Sequence, residues 1–182
     1  MKRIALTFIG KDRPGIIAEV SRILYRAGCN IEDTTMTILE GELAMILIAN
    51  VPTQTSESSL RKSFQGLKRR WDLDCFSRGV STKGLKAGKH PLRTKTYLVS
   101  VAGRDRTGIV YRTSQILARH KLNITDLNSK IVGKQGKPLF TMILEVDIPK
   151  RFSMERLELE WVRLRKELGV DMTVRALERL SL

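Results

Sequence analysis

Histidine is nearly missing from this chain. Its 182 residues include two, His90 and His120, and neither has a neighbour at metal-ligand spacing. There is no nucleophile elbow, phosphate-binding glycine loop or zinc motif, and the acidic residues form no pair placed for acid–base work. These absences argue against an enzyme, and no metal or cofactor is expected. Cysteine is equally scarce. Cys29 and Cys75 stand far apart, each in an apolar stretch, and read as buried reduced thiols. No disulfide framework is implied, which suits the cytoplasm. No apolar run approaches the roughly 20 residues of a membrane span. Met1-Lys2-Arg3 followed by Ile4 to Ile9 has the outline of a signal peptide, but the run is too short and Lys11-Asp12-Arg13-Pro14 interrupts it. It reads as a first strand, and no membrane partner is expected. Acidic side chains are in deficit, 19 against 33 Lys and Arg, for a formal net charge of +14. Such a surplus attracts nucleic acid, membrane surface or acidic proteins, or simply keeps a protein soluble.

What the chain does have is a repeat. Gly10-Lys11-Asp12-Arg13-Pro14-Gly15-Ile16 aligns with Gly103-Arg104-Asp105-Arg106-Thr107-Gly108-Ile109, and half of the positions from Gly10 to Asp33 are identical to those 93 residues on. Beyond Gly133-Lys134-Gln135-Gly136, a turn-rich insertion, the offset becomes 97: Met45 meets Met142, Leu47 meets Leu144 and Pro52 meets Pro149. Leu60, Phe64, Leu67 and Trp71 then meet Leu157, Trp161, Leu164 and Leu168 with identical spacing, so the repeat covers nearly the whole chain.

Within each copy the hydrophobic period switches in the same order. Ile4, Leu6 and Phe8 alternate, as do Tyr97, Val99 and Val101, marking half-buried strands. Pro14 stands where a helix is expected to start, its fixed φ suiting a first turn. Ile16, Val20, Ile23, Leu24 and Ala27 share one helical face, and Gly28 stops that helix. Strands follow over Asn30 to Leu39 and Leu43 to Val51, joined by a tight turn at Glu40-Gly41. Ser56 and Ser153 are candidate caps of a second helix. A last strand carries Leu73 and Cys75, or Val170, Met172 and Val174. Each copy is βαββαβ, and the fold class is α+β: two ferredoxin-like domains, each a four-stranded antiparallel sheet with two helices on one face. The domains are expected at residues 1–80 and 94–182, with an exposed basic linker at 81–93. In the first copy Ala44, Ile46 and Ile48 point away from the helices, which predicts contact with another domain or subunit.

The turn between first strand and first helix carries the strongest chemical signal. Gly10 and Gly15 allow tight geometry and close approach. The helix N-terminus behind them offers unpaired N–H groups and partial positive charge, a site for a small carboxylate. Asp12 can pair with an ammonium group or cap the helix. Arg13 can clamp an anion or stand in solvent. Asn30 begins the second strand, where the helix is expected to have returned the chain to the same edge as the turn, and its amide can donate and accept at once. A zwitterionic amino acid fits that combination, and so does a purely local structural role for the same residues.

Asp-Arg-Pro-Gly-Ile, an amphipathic helix and then Asn-Ile resembles the signature of ACT domains, and the βαββαβ order agrees. In that family the ligand, commonly an amino acid, binds around this turn and the start of the second strand, at an interface with a neighbouring domain. The resemblance carries a ligand-binding role to Asp12, Arg13, Pro14, Gly15, Ile16, Asn30 and Ile31. In the second copy it carries to Asp105, Arg106, Gly108, Ile109, Asn123 and Ile124, with Thr107 in place of the proline. Two ACT copies with no catalytic domain resemble the glycine cleavage system transcriptional repressor family, whose members act through another transcription factor. The resemblance implies a non-enzymatic regulator that binds an amino acid such as glycine and controls amino-acid metabolism, at transcription, through a partner protein; a homo-oligomer is expected beside it.

The alternative is a nucleic-acid-binding or protein-interaction module without a small ligand. Eleven basic residues against two acidic ones lie between Arg61 and Lys95, a patch suited to DNA backbone or an acidic partner. Sheet-face RNA binding needs stacking aromatics; Leu43 to Val51 has none and its counterpart has only Phe140.

Overall fold

The computed structural model describes residues 2–80, 93–133 and 138–177, the side chain of Glu57 excepted. Its elements run β1 (Lys2–Lys11), α1 (Ile16–Arg26), β2 (Asn30–Leu39), β3 (Glu42–Val51), α2 (Glu57–Trp71) and β4 (Leu73–Gly79). The second set is β5 (Thr94–Arg104), α3 (Ile109–Arg119), β6 (Asn123–Val132), β7 (Leu139–Pro149), α4 (Met154–Leu168) and β8 (Val170–Ala176). The two sheets have the same antiparallel order, β2-β3-β1-β4 and β6-β7-β5-β8. The βαββαβ ferredoxin-like pattern is therefore present twice. Contacts divide the chain into units 1–85 and 86–182. The expected linker at 81–93 lies outside the described residues except for Arg93.

Period-2 patterning decides which sheet face is covered. In β3, Leu43, Met45, Leu47 and Ala49 are buried beneath the helices, with Ile4, Leu6 and Phe8 of β1 alongside. Phe8 meets Phe64 of α2 edge to face, ring centroids 5.3 Å apart. The second core is built alike around Val99, Val101, Leu144, Val146 and Trp161. On the open face of the first sheet Ile46 is 48% exposed and Ile9 46%.

The helix ends follow their sequence signals, with two corrections. Gly15 stands in the left-handed region, φ 98°, so α1 starts at Ile16 and Pro14 belongs to the turn before it, not to the first helical turn. Ser56 Oγ accepts from the Ser59 amide at 3.0 Å, capping α2, whereas Ser153 stands at the same place on α4 without a side-chain capping bond. Gly28, φ 68°, ends α1: its amide donates to Tyr25 O at 3.0 Å and the Cys29 amide to Leu24 O at 2.9 Å, both bonds of a Schellman motif. Lys121 makes the same turn after α3 at φ 56° without glycine's freedom. Glu40 and Gly41 both have positive φ, as a two-residue hairpin with strand-matching twist requires.

Cys29 and Cys75 are free thiols but half-buried, not buried as expected. Cys29 follows α1 into an edge strand and Cys75 lies on the opposite edge strand, where cover is incomplete. Burial pushes the Cys75 thiol up to about 11.

Candidate functional site

The first strand-to-helix turn is held by its own backbone. The Asp12 amide donates to Gly41 O at 2.8 Å, tying the turn to the β2–β3 hairpin. The Glu19 amide donates to Gly15 O at 2.9 Å and opens the helical ladder. The amides of Ile17 and Ala18, in the first turn of α1, meet no acceptor among the described residues. They belong to the positive end of the helix dipole. Asp12, Arg13, Pro14 and Gly15 are exposed around them, and Ile16 is buried at 1% exposure, anchoring the turn in the core. The Asp12 carboxylate does not cap the helix; Gly15 occupies the cap position.

Gly10 and Gly15 are required for different reasons. A Cβ on Gly10 would sit 2.2 Å from the Asp72 carbonyl oxygen, so only glycine lets β1 and the start of β4 approach this closely. Gly15 supplies the left-handed backbone, and a Cβ there would lie 3.1 Å from the Trp71 ring. Trp71, the last residue of α2, therefore walls one side of the turn.

The second turn repeats this shape. Gly108 has φ 101° and ψ −7° against 98° and −9° for Gly15, and the Arg112 amide donates to Gly108 O at 2.8 Å. Asp105 and Arg106 are exposed, and Ile109 is buried. The Asp105 amide reaches Pro138 O at 3.3 Å. Thr107 leaves the geometry unchanged. The electrostatics are opposite. The first turn of α1 carries Glu19, gripped by Arg22 through bonds of 2.8 and 2.6 Å that hold its carboxyl below the usual range. The aligned residue of α3 is Arg112, paired with Glu167.

Asn30 and Asn123 are exposed at the starts of the edge strands β2 and β6. Asn30 pairs with Asn50, which pairs with Arg3, whereas the turn follows Lys11, paired with Glu42. Those positions are eight strand steps apart, about 26 Å at the usual rise. A single unit thus separates Asp12–Ile16 from Asn30–Ile31, and the second unit separates Asp105–Ile109 from Asn123–Ile124 likewise, since Asn123 pairs with Asp147 and Arg104 with Leu139. Helix α1 runs back along the sheet, so the chain reappears at the far end and not, as expected, at the edge that carries the turn.

A family pattern described as the ACT domain matches residues 2–77 and again 95–175. The chain belongs to the ACT-domain family. It is 28% identical over 127 residues to the glycine cleavage system transcriptional repressor of Escherichia coli, an alignment covering 70% of this chain and 64% of that protein. It is 36% identical over 59 residues to a UPF0237 protein of Methanococcus maripaludis, covering 32% of this chain and 66% of the relative. The chain thus spans just under two thirds of the length of these two curated relatives. A crystal structure of an unknown protein from Galdieria sulphuraria matches 97% of this chain and 99% of its own with a TM-score of 0.78 at 24% identity. The structure of a protein provisionally named as a glycine cleavage system transcriptional repressor matches 98% of each chain with a TM-score of 0.72 at 20% identity. These two likenesses fix the tandem ACT fold.

Three features of the ACT domains went unseen in the sequence. A β-bulge at Glu32 recurs at Thr125, between the same register partners, and re-aims the chain just beyond Asn30 and Asn123. At the first bulge, Glu32 accepts from Arg3 Nε at 2.7 Å and from Asn50 Nδ2 at 2.6 Å, so a polar cluster borders Asn30. In the second ACT domain the residue aligned with Asn50 is Asp147, buried and bonded by Thr96 Oγ1 at 2.9 Å. The repeat offset of 97 is the signal that marks it. Phe76 is 61% exposed on β4, an aromatic outside the third strand where stacking residues were sought. Among the described residues no group of His, Cys, Asp and Glu is placed to hold a metal, and no helix is long and apolar enough to cross a membrane.

Proposed function

We propose that this protein is a regulator that binds a small amino acid at its strand-to-helix turns and transmits the bound state to a partner protein, in the control of amino-acid metabolism at transcription. The observation that carries the reading is the doubled turn: two glycines with φ 98° and 101° present a helix N-terminus behind an exposed Asp-Arg pair. Free amides suit a carboxylate, and Asp12 suits an ammonium group. The name of the Escherichia coli relative supports transcription as the process and the glycine cleavage system as the kind of pathway. Because Asn30 lies far from Asp12, the complete site takes the turn from one ACT domain and the strand start from a neighbouring one, in a homo-oligomer. The opposite charges of Glu19 and Arg112 give the two turns different preferences, the second favouring the more anionic ligand.

Thermal unfolding against a panel of the standard amino acids tests this. A ligand at about 100 times its Kd adds roughly 2.7 kcal/mol, several degrees for a chain of this size. A shift with one or two amino acids, glycine among them, is the expected result. No shift with any of them removes the ligand reading.

A second reading rests on α2. Arg61, Lys62, Lys68, Arg69 and Arg70 are all exposed on it, although Lys68 is paired with Asp72 and Asp74. Lys83, Lys86 and Lys89 of the same basic segment lie outside the described residues. Salt-dependent retention of duplex DNA would favour it; no binding at low salt would remove it.

A further inference from the structure

The first ACT domain has a cavity of about 210 Å³ between α2 and β4, lined neither by the Asp12–Ile16 turn nor by Asn30. Its floor is apolar: Leu6, Leu60, Phe64 and Leu73, with the Cys75 thiol in the wall. Its mouth is polar. Arg61 Nη2 donates to Ser77 Oγ at 3.3 Å across one end, and Lys68 Nζ to Asp74 Oδ2 at 2.7 Å across the other. At about 30 Å³ per water the space takes roughly seven small groups.

The aligned place in the second domain differs in both shape and charge. Trp161 stands for Phe64, Met172 for Cys75 and Tyr97 for Ile4, and the first two are buried. Glu158 stands for Arg61, an acid in place of the cation. The aligned place thus carries larger side chains and an acid at the Arg61 position, although Arg165 stands there for Lys68.

We propose that this cavity binds a small aliphatic or aromatic monocarboxylate, its apolar body on Leu6, Phe64 and Leu73 and its carboxylate at Arg61. The Arg61 guanidinium carries its N–H donors in a fork that matches a carboxylate. The surrounding charge favours anions over neutral guests, since Lys62 neighbours Arg61 on an exposed helix face and the chain carries +14 overall. A neutral apolar guest would gain only the burial. The site is independent of the turns proposed for amino acids.

Titration of the full chain with sodium hexanoate, followed by amide NMR shifts, tests this. Burying a five-carbon tail supports a Kd of about 1 mM. Saturable shifts confined to α2 and β4 are expected, with hexanamide at least ten-fold weaker. Phe64→Trp and Cys75→Met each install the residue found in the second domain and are expected to abolish the shifts, whereas Asp12→Ala leaves them unchanged. Failure of one filling variant to fold leaves the other to decide. Hexanoate shifts that survive both fillings, shifts centred on the Asp12–Ile16 turn, or no saturation by about 20 mM would each overturn the site. Equal binding of hexanamide would overturn the carboxylate assignment.

Discussion

Asp12 and Asn30 stand at opposite ends of the first sheet. Asp12 continues from Lys11, opposite Glu42, while Asn30 lies across Asn50 from Arg3. If both contribute to one amino-acid site, two domains build it. Asp12→Ala and Asn30→Ala should then each weaken the same ligand at least ten-fold, with unliganded melting temperatures shifted by little, since both side chains are exposed. Titration calorimetry checks the pair; normal binding by both variants would refute the assignment.

The open face of the first sheet gives a second expectation. Ile46 of β3 is half exposed there, across from Thr7 of β1, and the exposed Phe76 of β4 lies on the other side of Thr7. If this face packs against another copy of the chain, Ile46→Glu should weaken self-association without unfolding the domain, because the helix-side core is untouched. Sedimentation equilibrium across a concentration series reads the outcome, and an unchanged oligomer would sink the interface.

Gly10 and Gly103 should respond unequally to alanine. At Gly10 the new methyl meets the Asp72 carbonyl oxygen at 2.2 Å, which is backbone; at Gly103 it meets Val170 Cγ1 at 2.7 Å and Val170 Cα at 3.0 Å, a less severe overlap. Overpacking of this kind costs about 1–3 kcal/mol, and Gly10→Ala should stand at the top of that range or above it. Denaturant melts of the two variants give the comparison.

Two residues hold left-handed backbone that the other domain gives to glycine. Lys121, φ 56°, aligns with Gly28, and Asp72, φ 52°, aligns with Gly169. Lys121→Gly and Asp72→Gly should each stabilise by about 0.5–1 kcal/mol. Asp72 also loses its 3.3 Å contact with Lys68, an exposed pair of small value, so its gain should be the lesser.

Cys75 makes stability depend on alkaline pH. Its folded thiol titrates at about 11 against an ordinary 9.0, because burial disfavours the thiolate. A raised value means that its contribution is complete below about pH 9 and is lost as pH rises toward 11, where the unfolded chain ionises and the native one does not. Melting curves of the wild type and Cys75→Ser between pH 8 and 11 should converge across that window. At pH 8, alkylation of Cys75 should lag well behind a free thiol.

Much of this architecture was legible because period and punctuation agreed. Alternating Ile4, Leu6 and Phe8, the glycine stop at Gly28 and the Glu40-Gly41 turn each name their element locally, and the repeat doubles every signal. Pro14 misled by one turn, since a left-handed Gly15 resets the helix start more strongly than proline's φ fixes it. The expectation that Asn30 returns to the same edge as Asp12 was wrong. Sequence places them 18 residues apart, and only the sheet order shows the helix carrying the chain to the far end. The bulge at Glu32 escaped for a similar reason, because it is a relation between two strands and leaves no mark on either alone.

Trp71 has a use beyond walling the turn. The chain contains two tryptophans, and each ACT domain holds one: Trp161 sealed in the second core, Trp71 half-buried beside Gly15. Their surroundings differ enough to separate them by emission wavelength and quenching. Trp161→Phe would leave a single fluorophore against the amino-acid turn, so occupancy there could be watched without a label, while Trp71→Phe would report only on the unfolding of the other half. The molecule thus carries a built-in optical gauge for each of its domains.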